Sequence, residues 1–152
     1  MSGPAAPDGP LRVLICDDNE MLRAALAEVV GAQPDLALAG SAADAEEAIR
    51  LATAEQPHVV VLDVRFPGGG PHTARQITRA VPGVRILVFS AYGDQATRSE
   101  MAAVGVADYL VKGTTNARLL AGIRALGAEA RSATTSGDRA GGTPDGLRTP
   151  RE

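Results

Sequence analysis

The sequence predicts an α/β fold in which a five-stranded parallel sheet is doubly wound by five helices. Three observations predict it. Short apolar runs recur along the chain, LRVLIC, LALAG, VVVLD, VRILVFS and ADYLVK, each of strand length. Segments with apolar residues at helical spacing lie between them, so strand and helix alternate. The runs are apolar on nearly every residue, as expected of strands buried on both faces.

Each element has its own signal. MSGPAAPDGP (1–10) is rich in Pro and Gly and reads as a flexible arm, so the folded unit covers 11–131. LRVLIC (11–16) is the first strand. A helix follows from Glu20 to Gly31, with Met21, Leu22, Ala25, Leu26, Val29 and Val30 as its apolar residues, and Gly31 and Pro34 end it. LALAG (36–40) is a weaker second strand. Ser41 is expected to open the second helix, with Asp44 three residues on as an acidic variant of the capping box. That helix runs to about Glu55 and stops before Pro57. VVVLD (59–63) is the most β-branched strand. The third helix, near 71–81, carries Ala74, Ile77, Ala80 and Val81 on one side, and Pro82 closes it. Residues 84–90 form the fourth strand, and 94–104 a weakly amphipathic helix with Gly105 as its C-cap. Residues 107–112 form the fifth strand. The last helix spans 116–131, with Leu119, Leu120, Ile123 and Leu126 facing inward. Residues 132–152 are rich in Ser, Thr, Gly and Pro and read as a disordered tail.

Composition narrows the function. The 152 residues leave room for a sizeable core, but aromatics are only 3%, so Val, Leu, Ile and Ala must build it. A net charge of -3 supplies no electrostatic footprint for nucleic acid or an anionic membrane. No apolar run approaches the ~18–20 residues that span a bilayer. The N-terminus lacks the basic and apolar regions of a signal peptide. The single Cys excludes an internal disulfide and fits a reducing, cytoplasmic setting. Inside LRVLIC, Cys16 reads as a core thiol. His58 and His72 lack partners at metal spacing and read as surface residues.

In doubly wound sheets, ligands bind outside the carboxyl ends of the strands. Here those ends carry Asp17-Asp18, Asp63, Ser90 and Lys112, while the second strand ends in Gly40. Taken singly, each has a bland reading: helix caps for the paired Asp, a loop hydroxyl for Ser90, a solvated charge for Lys112. Gathered at one edge they are more specific. Three clustered acids repel unless a cation joins them. Carboxylates with room for water suit Mg²⁺. Asp63 would then stay ionised and able to form an aspartyl-phosphate. Mg²⁺, Lys112 and Ser90 could each take one phosphoryl oxygen. The Gly68-Gly69-Gly70 turn lacks the G-x-x-x-x-G-K-[ST] pattern, so it reads as a flexible turn that lets backbone come close to the site.

This set, with the pieces LICDDN, VVLDVRFPG, VFSAY and DYLVKG, resembles the receiver domain of two-component response regulators, most closely the NarL/FixJ branch. The resemblance covers about 11–129. It implies a flavodoxin-like, CheY-like (βα)5 sheet of order 2-1-3-4-5. It implies that Asp63 is the phospho-acceptor, with Mg²⁺ held by Asp18, Asp63 and the backbone carbonyl of Arg65, and by Asp17 through water. Ser90 and Lys112 would bond the phosphoryl group. Tyr109 would be an aromatic switch residue that turns inward when Ser90 moves. Arg65 and Tyr92 sit where the family tunes the lifetime of the phosphoryl bond. Gly113 stands where many relatives have a Pro with a cis peptide, and none is expected here.

The implied function is phosphorelay signalling. A histidine kinase or phosphotransfer protein would supply the phosphoryl group, and an unknown output protein would read the result. A homodimer through helices four and five, or one and five, is also implied. As a protein that acts only on its own phosphoryl group, it would not be an enzyme in the usual sense. Three alternatives compete. In one the chain is the receiver part of a helix-turn-helix transcription regulator; nothing after Arg131 is amphipathic or net basic, so DNA binding is not expected through this chain. In another it is a phosphohydrolase of the haloacid-dehalogenase kind, against which Arg65 stands where that chemistry needs an acid. In the last it is a scaffold independent of phosphorylation, against which all the key residues are present.

Overall fold

A computed structural model describes residues 9–65, 67–91 and 95–142; the side chains of Thr97 and of 134–142 are outside that description. Five strands alternate with five helices: β1 (Leu11–Cys16), α1 (Glu20–Gly31), β2 (Leu36–Ala42), α2 (Ala45–Glu55), β3 (Val59–Leu62), α3 (Gly70–Ala80), β4 (Arg85–Ser90), α4 (Gln95–Ala103), β5 (Asp108–Val111) and α5 (Asn116–Gly142). The strands form one parallel sheet of order β2-β1-β3-β4-β5. This is the doubly wound arrangement expected.

Side-chain alternation along each strand splits the core in two. Val13, Ile15, Val59, Val61, Leu87 and Phe89 point to the face covered by α1 and α5. Leu14, Cys16, Val60, Leu62, Ile86 and Val88 point to the opposite face, where Ala48, Ala52, Ala74, Ile77 and Met101 cover them. Both faces are dry, which is why the strands read as unbroken apolar runs. Burying a side chain such as Ile77 or Leu14 contributes about 2–3 kcal/mol.

The helix boundaries differ from expectation at two places. Ser41 lies in β2, and Asp44 is the N-cap of α2: its carboxylate accepts from Glu47 N–H at 2.9 Å, while Glu47 Oε1 accepts from Ala43 N–H at 3.0 Å. The expected Ser41–Asp44 box is not formed: the cap lies three residues later, at Asp44, and Glu47 reaches back to Ala43, one residue before it. At the other end, α5 continues past Arg131 to Gly142, into the stretch expected to be disordered. Propagating a docked helix needs only one further hydrogen bond per residue, and Pro144 is the first proline after it. Residues 143–152 and 1–8 lie outside the described residues.

The Gly-rich turn after β3 is not loose. Ala45 N–H donates to Pro67 O at 3.0 Å. Gly68, at φ +99°, sits so near α2 that a Cβ there would lie 2.4 Å from Ala45 Cβ. The turn is thereby pinned to the start of α2, and α3 begins at Gly70 with Pro71 in its first turn. A second close approach joins α5 to β1: a Cβ on Gly127 would lie 2.4 Å from Leu11 Cδ1. One turn earlier in α5, Arg124 grips Asp35 ahead of β2, with Nε 2.7 Å from Oδ2 and an Nη 3.0 Å from Oδ1. No cis peptide occurs among the described residues. His58 corrects the surface expectation: it is half-buried, and its Nδ1 accepts from Arg12 N–H at 2.9 Å.

Candidate functional site

Register places the site. Cys16 pairs with Leu62, so the next residues on these neighbouring strands, Asp17 and Asp63, come side by side. Asp63 N–H donates to Cys16 O at 3.0 Å and Asp17 N–H to Ala42 O at 3.1 Å, which ties both backbones to the sheet just past the strand ends. Ser90 pairs with Val111, and Lys112 N–H donates to Ser90 O at 2.7 Å. The strand-end residues singled out in the sequence therefore meet at one edge.

The Lys112 ammonium bridges two carboxylates. Its Nζ lies 2.8 Å from Asp17 Oδ2 and 3.1 Å from Asp63 Oδ2. Asp17 and Asp63 are buried, 2% and 6% exposed. The second oxygen of each is held by backbone: Asp17 Oδ1 accepts from Asn19 N–H at 2.9 Å, and Asp63 Oδ1 from Arg65 N–H at 3.1 Å. Burial works against the lysine's charge, but hydrogen bonds to Asp17 and Asp63 and the charges of both outweigh it, so Lys112 titrates above its ordinary value. Neighbouring Cys16 is different in kind. Burial, then the charges of Asp17 and Glu47, push its thiol far up, so it stays protonated in the core.

Asp18 is exposed at the mouth of the site. Asp17, Asp18 and Asp63 each offer a carboxylate oxygen, and these lie within 4.8 Å of one another. An all-oxygen, acidic donor set of this kind could hold a hard divalent cation. The capping reading of Asp17 and Asp18 is set aside by Asn19, whose side chain accepts from Leu22 N–H at 3.0 Å and so caps α1 itself.

Ser90 is wholly buried. Val88 and Ser90 share a sheet face by period two, and Tyr109 pairs with Val88, so Tyr109 belongs to that same face. Its ring is half-buried, with the Arg98 guanidinium of α4 4.6 Å from the ring centre. Sequence reading missed two of these residues. Asn19 had a signal, being a preferred N-cap type directly before Glu20. Arg98 had none, since only the packing of α4 over β5 brings it to Tyr109. The Arg65 side chain is exposed. Tyr92 lies outside the described residues.

The order of strands and the acidic pocket with its lysine define a doubly wound α/β module whose working edge is the carboxyl end of the sheet. Residues 13–124 match the response regulator receiver domain, and the chain belongs to that family, the receiver modules of two-component systems. It is 34% identical over 116 residues to the transcriptional regulatory protein LiaR of Bacillus subtilis, covering 76% of this chain and 55% of that protein. It is 31% identical over 119 residues to the DNA-binding transcriptional activator DevR/DosR of Mycobacterium tuberculosis, covering 78% and 55%. Among solved structures, the signal receiver domain of the response regulator NarL from the same bacterium aligns with TM-score 0.74 at 25% identity, over 79% of this chain and 98% of that one. The chain spans about half the length of the curated relatives it matches. Among the described residues, no helix is long and apolar enough to cross a membrane.

Proposed function

We propose that this chain is a phospho-accepting receiver, with Asp63 as the acceptor. The observation that carries the reading is the Lys112 ammonium bridging Asp17 and Asp63 beside Asp18. A carboxylate oxygen of Asp63 would attack phosphorus, the bond from phosphorus to the donor's imidazole nitrogen or acyl oxygen would break, and the electron pair would leave with the donor. The donor would be a histidine kinase, a phosphotransfer protein or a small acyl phosphate. Lys112 already faces Asp63 and would pass to a phosphoryl oxygen. Ser90 would donate its hydroxyl proton to another. Tyr109 would follow Ser90 inward and change the face built by α4, β5 and α5, which an output protein would read.

Asp18, Asp63 and the Arg65 carbonyl would hold Mg²⁺ directly, with Asp17 acting through water. When bound, the ion neutralises charge on the phosphoryl group and its carboxylate acceptor. The donor set fits a hard cation because it is all oxygen and its acids are already close.

A second reading concerns the whole protein. Relatives named as transcriptional regulators are about twice as long as the matched stretch, which favours a receiver that works with a DNA-binding output. A phosphohydrolase is disfavoured because Arg65 stands two residues past Asp63, with its side chain exposed.

The test is intact-mass spectrometry after incubation with acetyl phosphate and Mg²⁺. One phosphoryl adduct is expected, absent in Asp63→Asn and absent with EDTA. If wild type takes neither acetyl phosphate nor beryllofluoride, the scaffold reading replaces this one.

A further inference from the structure

Tyr109 is a half-buried aromatic on an edge strand, and the helix above it supplies a cation. The Arg98 guanidinium lies 4.6 Å from the ring centre, within the distance at which a cation is drawn to a π face. Both residues line one open groove, together with Ala102, Val106, Ala107 and Asp108. On the buried side, Tyr109 neighbours Val88 in the ladder, and Ser90 follows on the same face. The ring thus has a cation over one face, and its strand position shares a sheet face with the buried Ser90.

From this juxtaposition we infer that Arg98 is a latch on the aromatic switch: its guanidinium holds the Tyr109 ring in the half-buried position it occupies here and weights the receiver against its activated state. The inference rests on the receiver reading, and it assigns a regulatory role to a residue of α4 that is not among the strand-end residues of the site. For the ring to follow Ser90 inward it must leave the guanidinium. The attraction lost in that step is made only in the resting arrangement, so it shifts the equilibrium between the two states. A cation over an exposed or partly exposed ring is worth about a two- to fivefold change in such an equilibrium. Phosphorylation would have to outweigh that bias. Arg98 is therefore a positioning residue, acting through Tyr109.

The experiment compares wild type, Arg98→Met and Arg98→Lys, each alone and in a Tyr109→Leu background. Beryllofluoride with Mg²⁺ serves as the phosphoryl mimic, and its apparent affinity is read by titration while the Tyr109 ring is followed by NMR. Methionine keeps length and packing and removes the charge; lysine restores it. Arg98→Met should bind the mimic about two- to fivefold more tightly than wild type, and Arg98→Lys should return most of the way. Without Tyr109, the Met and Arg forms should bind equally. Equal affinity of Arg98→Met and wild type overturns the latch, as does a gain that persists without Tyr109. Wild type that fails both to bind the mimic and to take a phosphoryl group from acetyl phosphate overturns the receiver reading itself. A wild type that does both, beside unchanged variants, overturns the latch alone.

Discussion

Lys112 sets the electrostatics of the site at the scale of single residues. Its pKa is raised, so its pairing contributes fully through neutral pH and is lost only as pH climbs through that raised value. In Lys112→Met, two nearly buried carboxylates would face each other without the ammonium that now sits 2.8 and 3.1 Å away. The variant should be about 2–3 kcal/mol less stable than wild type at pH 7 in EDTA. Urea unfolding at pH 7 in EDTA checks it; equal stability of variant and wild type would refute the argument. At this scale the sequence was informative, because Asp17, Asp18, Asp63, Ser90 and Lys112 all fall at strand ends and strand ends share an edge. It was silent about Arg98, since no local pattern reveals which helix covers which strand.

Elements show where the chain tolerates no added atom. Gly127 lies inside α5, where alanine would normally gain about 1 kcal/mol of helix propensity. Here a Cβ would press on buried Leu11, 2.4 Å from one methyl and 2.8 Å from the other. Overpacking costs about 1–3 kcal/mol, so Gly127→Ala should lose stability by about 1 kcal/mol overall. Leu11→Ala should recover part of that loss in the double variant, which a double-mutant cycle measures. The Arg124 clasp gives a pH signature. The Arg124 hydrogen bond holds the Asp35 carboxyl below its ordinary value, more than its slight burial raises it. The clasp therefore stabilises above the ordinary aspartate range and fades as pH falls through the depressed value. Asp35 is half-exposed, so Asp35→Asn should cost less than about 1 kcal/mol at pH 7. Wild type and variant should converge in thermal melts as pH falls through that depressed value. Strand positions were legible from their apolar runs, whereas the start of α2 was not, because Ser41 and Asp44 both carry capping chemistry and only Glu47 decides between them. The length of α5 was hidden for another reason. A Ser/Thr/Gly-rich composition argues against an isolated helix but does not stop one that is already docked and growing.

For the whole molecule, the acids at the carboxyl edge should link folding to metal. A divalent cation that binds the folded site and not the unfolded chain stabilises by about 2.7 kcal/mol at a hundredfold excess over its Kd. Millimolar Mg²⁺ should raise the melting temperature of wild type, and EDTA should reverse it. Asp18→Asn, at the exposed mouth, should melt like wild type in EDTA and respond less to Mg²⁺. An equal response in both would argue against the site. The global topology was open to sequence reasoning because alternation of strand and helix leaves few arrangements, and the resemblance selected the order that is observed.

The packing of Gly68 on Ala45 has a practical consequence for recombining such domains. The turn that follows Asp63 and the first residue of α2 fit as a lock and its ward: neither can gain a carbon unless the other yields. A chimera that imports the turn from a bulkier relative must therefore import position 45 with it. The breakpoint that respects the structure lies before Asp44, not between α2 and β3.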